Sequence, residues 1–116
     1  MHELKVKRVY QESDAADGIR ILVDRMWPRG ISKDRMDAWI KSVAPSSELR
    51  KHFHDGTLSF DQFKEQMVKE LEASDMAKAF KLKVRDVLDK SNVTLLFAAK
   101  DAEHNNAVVL KEWILD

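Results

Sequence analysis

Charged side chains gather in two short clusters of this sequence, and each cluster directly follows an apolar run. The first cluster begins at Asp24, after the run 19–23, and the second begins at Lys100, after the run 93–99. Guanidinium and ammonium groups bind phosphate and carboxylate, and a carboxylate beside an imidazole is suited to proton transfer near neutral pH. The two clusters therefore predict a site for a small anionic ligand, with acid–base catalysis as one use of it.

The residue types suggest a division of roles within such a site. Arg25, Arg29 and Lys100 are the cations that would hold a phosphorylated metabolite or a nucleotide. His104 and Asp24 are the candidates for general acid and base, because an imidazole titrates near neutral pH. Most of the arginines lie in the first 35 residues, whereas the later helices use lysine, which favours specific anion recognition in the first third of the chain.

Each cluster also has structural alternatives. Asp24 could pair with an arginine in a salt-bridge network, with Trp27 covering the core beneath it. Trp27 and nearby arginines could instead form a non-enzymatic protein-interaction surface, since exposed Trp and Arg are favoured at such surfaces. A cis peptide bond at Trp27-Pro28 stays open. In the second cluster, Asp101 and Glu103 are expected in the first turn of the last helix, where they would stabilise its dipole.

Composition excludes several classes of function. The chain has 116 residues, no cysteine, and 20 basic against 20 acidic residues, so thiolate chemistry is absent and no net field favours nucleic acid or a membrane. His52 and His54 are expected on opposite sides of a helix, which argues against a metal site. We expect a soluble, cytoplasmic protein with no cofactor, for which nucleic acid is an unlikely partner, and the sequence identifies no protein partner.

Hydrophobic periodicity predicts an α/β fold: a single domain, residues 1–116, with a small sheet of about four strands flanked by helices. Strands are expected at 4–10, toward the sheet edge, at 19–23, and at 93–99 in the middle of the sheet. A short strand is expected at 37–43, although its period does not distinguish strand from helix. The brief connection 11–18 leaves a hairpin open between the first two strands.

Capping residues and apolar spacing predict the helices. Ser32 is expected to cap a short turn, and helices are expected at 46–54, ending before Gly56, and from the capping box of Ser59 and Gln62 through Leu71. A further helix is expected to begin with Asp75 as its cap, and the last covers 107–115. The predicted inner face of the third helix is Met76, Phe80, Val84, Val87 and Leu88.

Three segments together resemble the YeaO-like branch of DUF family 488, a group of small bacterial proteins with no assigned function. They are ILVDRMWPRGISK, WIKSVAPSSELRKHF and TLLFAAKDAEHNNAVVLKEWI. The resemblance implies a mainly parallel α/β fold with both polar clusters at one sheet edge. The expected ligand-binding residues all fall on recurrent positions of this family: Arg25, Trp27, Arg29, Lys100, Asp101 and Asn105. Asn106 departs from the family, whose members often carry His there.

Overall fold

The four strands of the computed structural model, which describes residues 2–116, all run parallel. They are β1 (Leu4–Arg8), β2 (Ile19–Leu22), β3 (Ala38–Trp39) and β4 (Val93–Phe97), in the order β1-β4-β2-β3. The predicted mainly parallel sheet of about four strands is confirmed. The hairpin left open between the first two strands is wrong, because β4 lies between β1 and β2 and pairs with both.

Strand β4 lies in the interior of the sheet, as its continuous apolar sequence predicts, and all five of its residues are buried. Leu95 stands in register between Val6 of β1 and Ile21 of β2. Two further hydrogen bonds extend the pairing to the carboxyl ends of the strands, from Val9 N–H to Phe97 O and from Val23 N–H to Leu96 O. The carboxyl ends of β1, β4 and β2 therefore lie side by side.

The main core lies on one face of the sheet. Ile21 and Val23 point into it, as predicted, while Leu22 points to a smaller apolar cluster on the opposite face with Val9 and Leu96. All four helices contribute buried side chains to the main core. They are α1 (Ser47–His54), α2 (Phe60–Glu72), α3 (Asp75–Val87) and α4 (Asn106–Leu115).

The helix ends mostly follow their sequence signals. The capping box of Ser59 and Gln62 is formed as predicted, and Gly56 adopts φ 82° just beyond α1, where a residue with a side chain would be strained. The cap of α3 is Ser74, whose side chain accepts from Ala77 N–H, so the prediction of Asp75 as cap is wrong by one residue.

Three local predictions change in the structure. Met76 is 69% exposed, and Ala77 is buried in its place, because Ala77 lies about two helical turns before Val84 on the same face. The segment 37–43 forms a strand only at Ala38–Trp39 and then a 3₁₀ turn at Lys41–Val43. Ser32 precedes the 3₁₀ turn Lys33–Arg35 but makes no capping hydrogen bond.

Among residues 2–116, no helix is both long and apolar enough to cross a membrane.

Candidate functional site

The two polar clusters meet at one edge of the sheet because β2 and β4 are parallel neighbours. We call this edge the rim; it comprises residues 24–25 and 98–106. Two hydrogen bonds to Asp24 join its halves, one from Ala98 N–H (2.9 Å) and one from the side-chain amide of Asn106 (2.9 Å). The expectation that both clusters share one sheet edge is confirmed for Asp24 and Arg25 of the first cluster and for the second cluster.

Asp24 is held by hydrogen bonds rather than by an ion pair. Its Oδ2 accepts from Ala98 and its Oδ1 from Asn106, so both carboxylate oxygens have fixed donors. No direct ion pair joins Asp24 to an arginine within residues 2–116, so the alternative of a salt-bridged Asp24 is wrong. Burial raises the pKa of Asp24 above its ordinary value, and the hydrogen bonds from Asn106 and Ala98, with the charge of Arg50, oppose that rise.

A cavity of about 260 Å³, the inner cavity, opens beside Asp24 between the strand ends and helix α1. Two arginines line it. Arg25 donates to the carbonyl oxygens of Pro45 (3.2 Å) and Ala44 (3.4 Å), which fixes its guanidinium. The side chain of Arg50, on α1, is exposed and makes no hydrogen bond or ion pair with any residue in 2–116. Arg50 is therefore a cation at the cavity with its donors unused.

The rest of the inner cavity is apolar on one side and polar on the other. Phe53 supplies part of the apolar side, and its ring stacks on Phe63 at 4.4 Å between centroids. The polar side includes Asn105 and Asn106 at the start of α4, the end of a helix that favours anions. The side chain of Asn105 is buried, accepts from Val108 N–H and donates to Asp101 O, so its main role is to cap the helix.

A second and wider cavity of about 780 Å³, the outer cavity, adjoins the first. Arg8 lies in its wall with Nε donating to Ala99 O (2.8 Å) and Nη2 to Ala98 O (3.1 Å), and its guanidinium lies 5.1 Å from the centre of the Tyr10 ring. Lys100 is exposed, and within 2–116 its ammonium has no partner. The two cavities share five lining residues: Phe53, His54, Ala98, Ala99 and His104.

Asp101 and His104 form an exposed pair in the outer cavity. The imidazole Nδ1 of His104 lies 3.0 Å from Asp101 Oδ2. Asp101 accepts hydrogen bonds from the backbone N–H of Glu103, the imidazole of His104 and the backbone N–H of His104. These bonds hold the pKa of its carboxyl below the ordinary value. The placement of Asp101 and Glu103 within the last helix is wrong, because α4 begins at Asn106 with Asn105 as its cap.

Trp27 and Arg29 line neither cavity. Trp27 packs edge-on against Trp39, with ring centroids 5.2 Å apart, and donates its indole N–H to Ile31 O (2.8 Å). It borders a separate groove of about 720 Å³ that also includes Ile31, Met36 and Trp39. Trp27 is 36% exposed and Met26 64%. The Trp27-Pro28 bond is trans, as are all peptide bonds described in 2–116.

Several residues that line the cavities were not predicted as site residues from the sequence, among them Arg8, Tyr10, Arg50, His54 and Asn106. A usable signal existed for two of them, since Arg50 and His54 are four residues apart on a predicted helix and so share a face. His52 and His54 do lie on a helix, and no group of three or more potential metal-ligating side chains occurs within 2–116.

Comparisons with known sequences extend over nearly the whole chain. The sequence model described as "Inactive DUF488-N3 subclade" matches residues 3–116. The uncharacterized protein YeaO of Escherichia coli K12 is 41% identical over 113 residues, which cover 96% of each chain. The uncharacterized protein Rv3073c of Mycobacterium tuberculosis H37Rv is 40% identical over 111 residues, 94% of this chain and 91% of its own. No solved structure gives a significant match.

Proposed function

Because the chain belongs to the DUF488 family, as a YeaO-like member within the subclade described as inactive, we propose that it binds a small anionic ligand at the rim without transforming it. The ligand class is a phosphorylated metabolite. The observation that carries this proposal is the inner cavity, which lies at the carboxyl ends of parallel strands beside the start of α4 and is lined by Arg25 and Arg50. Crevices at such strand ends are the usual ligand sites of open α/β sheets.

Local charge supports an anion at this place although the whole chain is neutral. Four permanent cations line the two cavities: Arg8, Arg25, Arg50 and Lys100. The facing carboxylates are Asp24, whose oxygens are both occupied, and Asp101, which pairs with His104. Since Arg50 and Lys100 make no side-chain bond within 2–116, an incoming phosphate would find free donors.

Catalysis by His104 and Asp24 has weaker support than binding. Asp24 is bound to Ala98 and Asn106, whereas His104 is bound to Asp101, so the two candidate groups have different partners. Accepting a proton at Asp24 would weaken the bonds that join the two halves of the rim. The description of the subclade as inactive also favours binding over turnover.

Thermal unfolding with and without ligand tests this proposal. Inorganic phosphate, sugar phosphates and nucleotides are screened against the wild-type chain, because a ligand at 100 times its dissociation constant adds about 2.7 kcal/mol to the free energy of unfolding. We expect at least one phosphorylated compound to raise the midpoint, and Arg50→Ala to remove most of that increase. Arg50 is a sharper target than Arg25, whose bonds to Ala44 and Pro45 make it structural as well.

Arg29→Ala is the matched control, since Arg29 lies in the same charged cluster but lines neither cavity. It should leave the ligand-induced increase unchanged. The proposal fails if no phosphorylated compound stabilises the protein, or if Arg29→Ala reduces the increase as much as Arg50→Ala does.

A second candidate function is protein interaction through the groove beside Trp27. Its support is the exposure of Met26 and of part of Trp27 next to an apolar groove. Pull-down with wild type and Trp27→Ala tests it: a partner captured only by wild type, with the fold of the variant intact by circular dichroism, would favour this function. Equal recovery of all proteins by both would exclude it.

A further inference from the structure

We propose that the anionic ligand of the rim is a nucleoside monophosphate, with its phosphate in the inner cavity and its planar base in the outer one. This inference rests on the proposed function and adds the chemical class of the ligand. It follows from three features of the rim. The two cavities are continuous, planar side chains line the outer cavity, and the charged side chains differ between the two cavities.

The two cavities form one groove because small residues follow β4. Ala98 and Ala99 line both cavities, and their methyl side chains fill little of the space above the strand. Phe53, His54 and His104 also border both. A ligand can therefore extend from one cavity into the other, which a lone phosphate or a short acid would not do.

The outer cavity is lined by flat groups. The Arg8 guanidinium is fixed by its bonds to the Ala98 and Ala99 carbonyl oxygens and lies over the Tyr10 ring. The rings of Phe53, His54 and His104 line the same cavity. Aromatic rings and guanidinium planes are the groups on which bases stack, and a guanidinium fixed in position loses little freedom when it does so.

Charge assigns the phosphate to the inner cavity. Arg25 and Arg50 line it together with Asn106 in the first turn of α4, whereas its one carboxylate, Asp24, is occupied by fixed donors. The outer cavity holds Lys100 and Arg8 but also the accessible carboxylate of Asp101. The sequence contains no glycine-rich phosphate loop, which argues for one phosphate rather than a triphosphate.

Isothermal titration calorimetry with AMP, ribose 5-phosphate and adenosine tests the inference. Wild type should bind AMP more tightly than either fragment. Tyr10→Leu removes a stacking ring and should weaken AMP roughly 5- to 150-fold, the range for one base–aromatic contact, while leaving ribose 5-phosphate unchanged. Tyr10→Phe keeps the ring and is the matched control, expected to bind AMP like wild type.

The outcomes separate this inference from the proposed function. If ribose 5-phosphate binds as tightly as AMP, or Tyr10→Leu binds AMP like wild type, the base has no site in the outer cavity, and the anion-binding function stands alone. If adenosine binds as tightly as AMP and Arg50→Ala changes neither, the phosphate site is wrong. If neither AMP nor ribose 5-phosphate binds, both proposals fall for this ligand class.

Discussion

The two strand ends that form the rim use their aspartates in opposite ways. Asp24, after β2, is largely enclosed and holds Ala98 N–H and the Asn106 amide, and burial raises the pKa of its carboxyl. Asp101, after β4, is 55% exposed in its side chain and closes a local turn with Glu103 and His104, whose bonds lower its pKa. One carboxylate assembles the rim, and the other shapes a loop on its surface.

This difference shows which rim residues are available to a ligand. The groups nearest the sheet, Asp24 and Arg25, are committed to bonds within the fold. The groups that reach the rim from α1 and from the loop after β4 carry unused donors, notably Arg50 and Lys100. The proposed recognition of a ligand at this edge therefore relies on side chains brought there by packing more than on those that directly follow β2.

The largest effect on stability should come from Asp24→Ala. It leaves Ala98 N–H and the Asn106 amide without their acceptor at the junction of two strand ends and a helix, and losing such bonds to a carboxylate costs about 1–3 kcal/mol. Urea unfolding measures the loss. Asp101→Ala is the matched control and should cost clearly less, because water can replace its exposed carboxylate. Equal losses would contradict the contrast between the two strand ends.

Asn106→Ala should have an intermediate effect. Asn106 donates to Asp24 Oδ1 and, at 3.3 Å, to Val23 O, so the variant leaves one oxygen of Asp24 with no donor from α4. We expect a loss of about 1 kcal/mol in urea unfolding, close to the usual value for one side-chain hydrogen bond. A variant as stable as wild type would mean that Asn106 does not hold the two halves of the rim together.

The smallest expected effect is on the pH dependence of folding stability, and its sign should differ between Asp24 and Asp101. A raised pKa means that the folded state binds the proton more tightly, so the stability of wild type relative to Asp24→Asn should rise as pH falls through the raised pKa toward 3.8. A lowered pKa does the reverse, so the stability of wild type relative to Asp101→Asn should fall as pH drops below 3.8. Urea unfolding over a pH series measures both differences; the same sign for both would contradict the assignments.

The strands 19–23 and 93–99 are recognisable from their apolar runs, and parallel neighbours bring their carboxyl ends together. That the two strands are parallel, so that the clusters meet, followed from the family resemblance and not from the runs themselves. The sequence did not predict the separation within the first cluster. The chain leaves the rim after Arg25, and residue spacing alone does not predict that Trp27 packs against Trp39. Arg50 was missed because it joins the rim from α1 through tertiary packing, which the local sequence around β2 and β4 does not contain.

The start of α4 shows a similar limit. Asp101 and Asn105 are both acceptable capping residues, and only the path of the chain after β4 selects Asn105. The position of Met76 on α3 is comparable, since Met76 and Ala77 are both apolar and a shift of one residue exchanges them.

Amide chemical-shift mapping during titration with a nucleoside monophosphate tests the account most directly. We predict saturable shifts at Arg50, Ala98, Ala99 and His104 to Asn106, with further shifts near Tyr10 and none in the groove beside Trp27. Shifts confined to Trp27 and Trp39, or no saturable shift in any residue at millimolar ligand, would contradict the assignment of the rim as an anion-binding site.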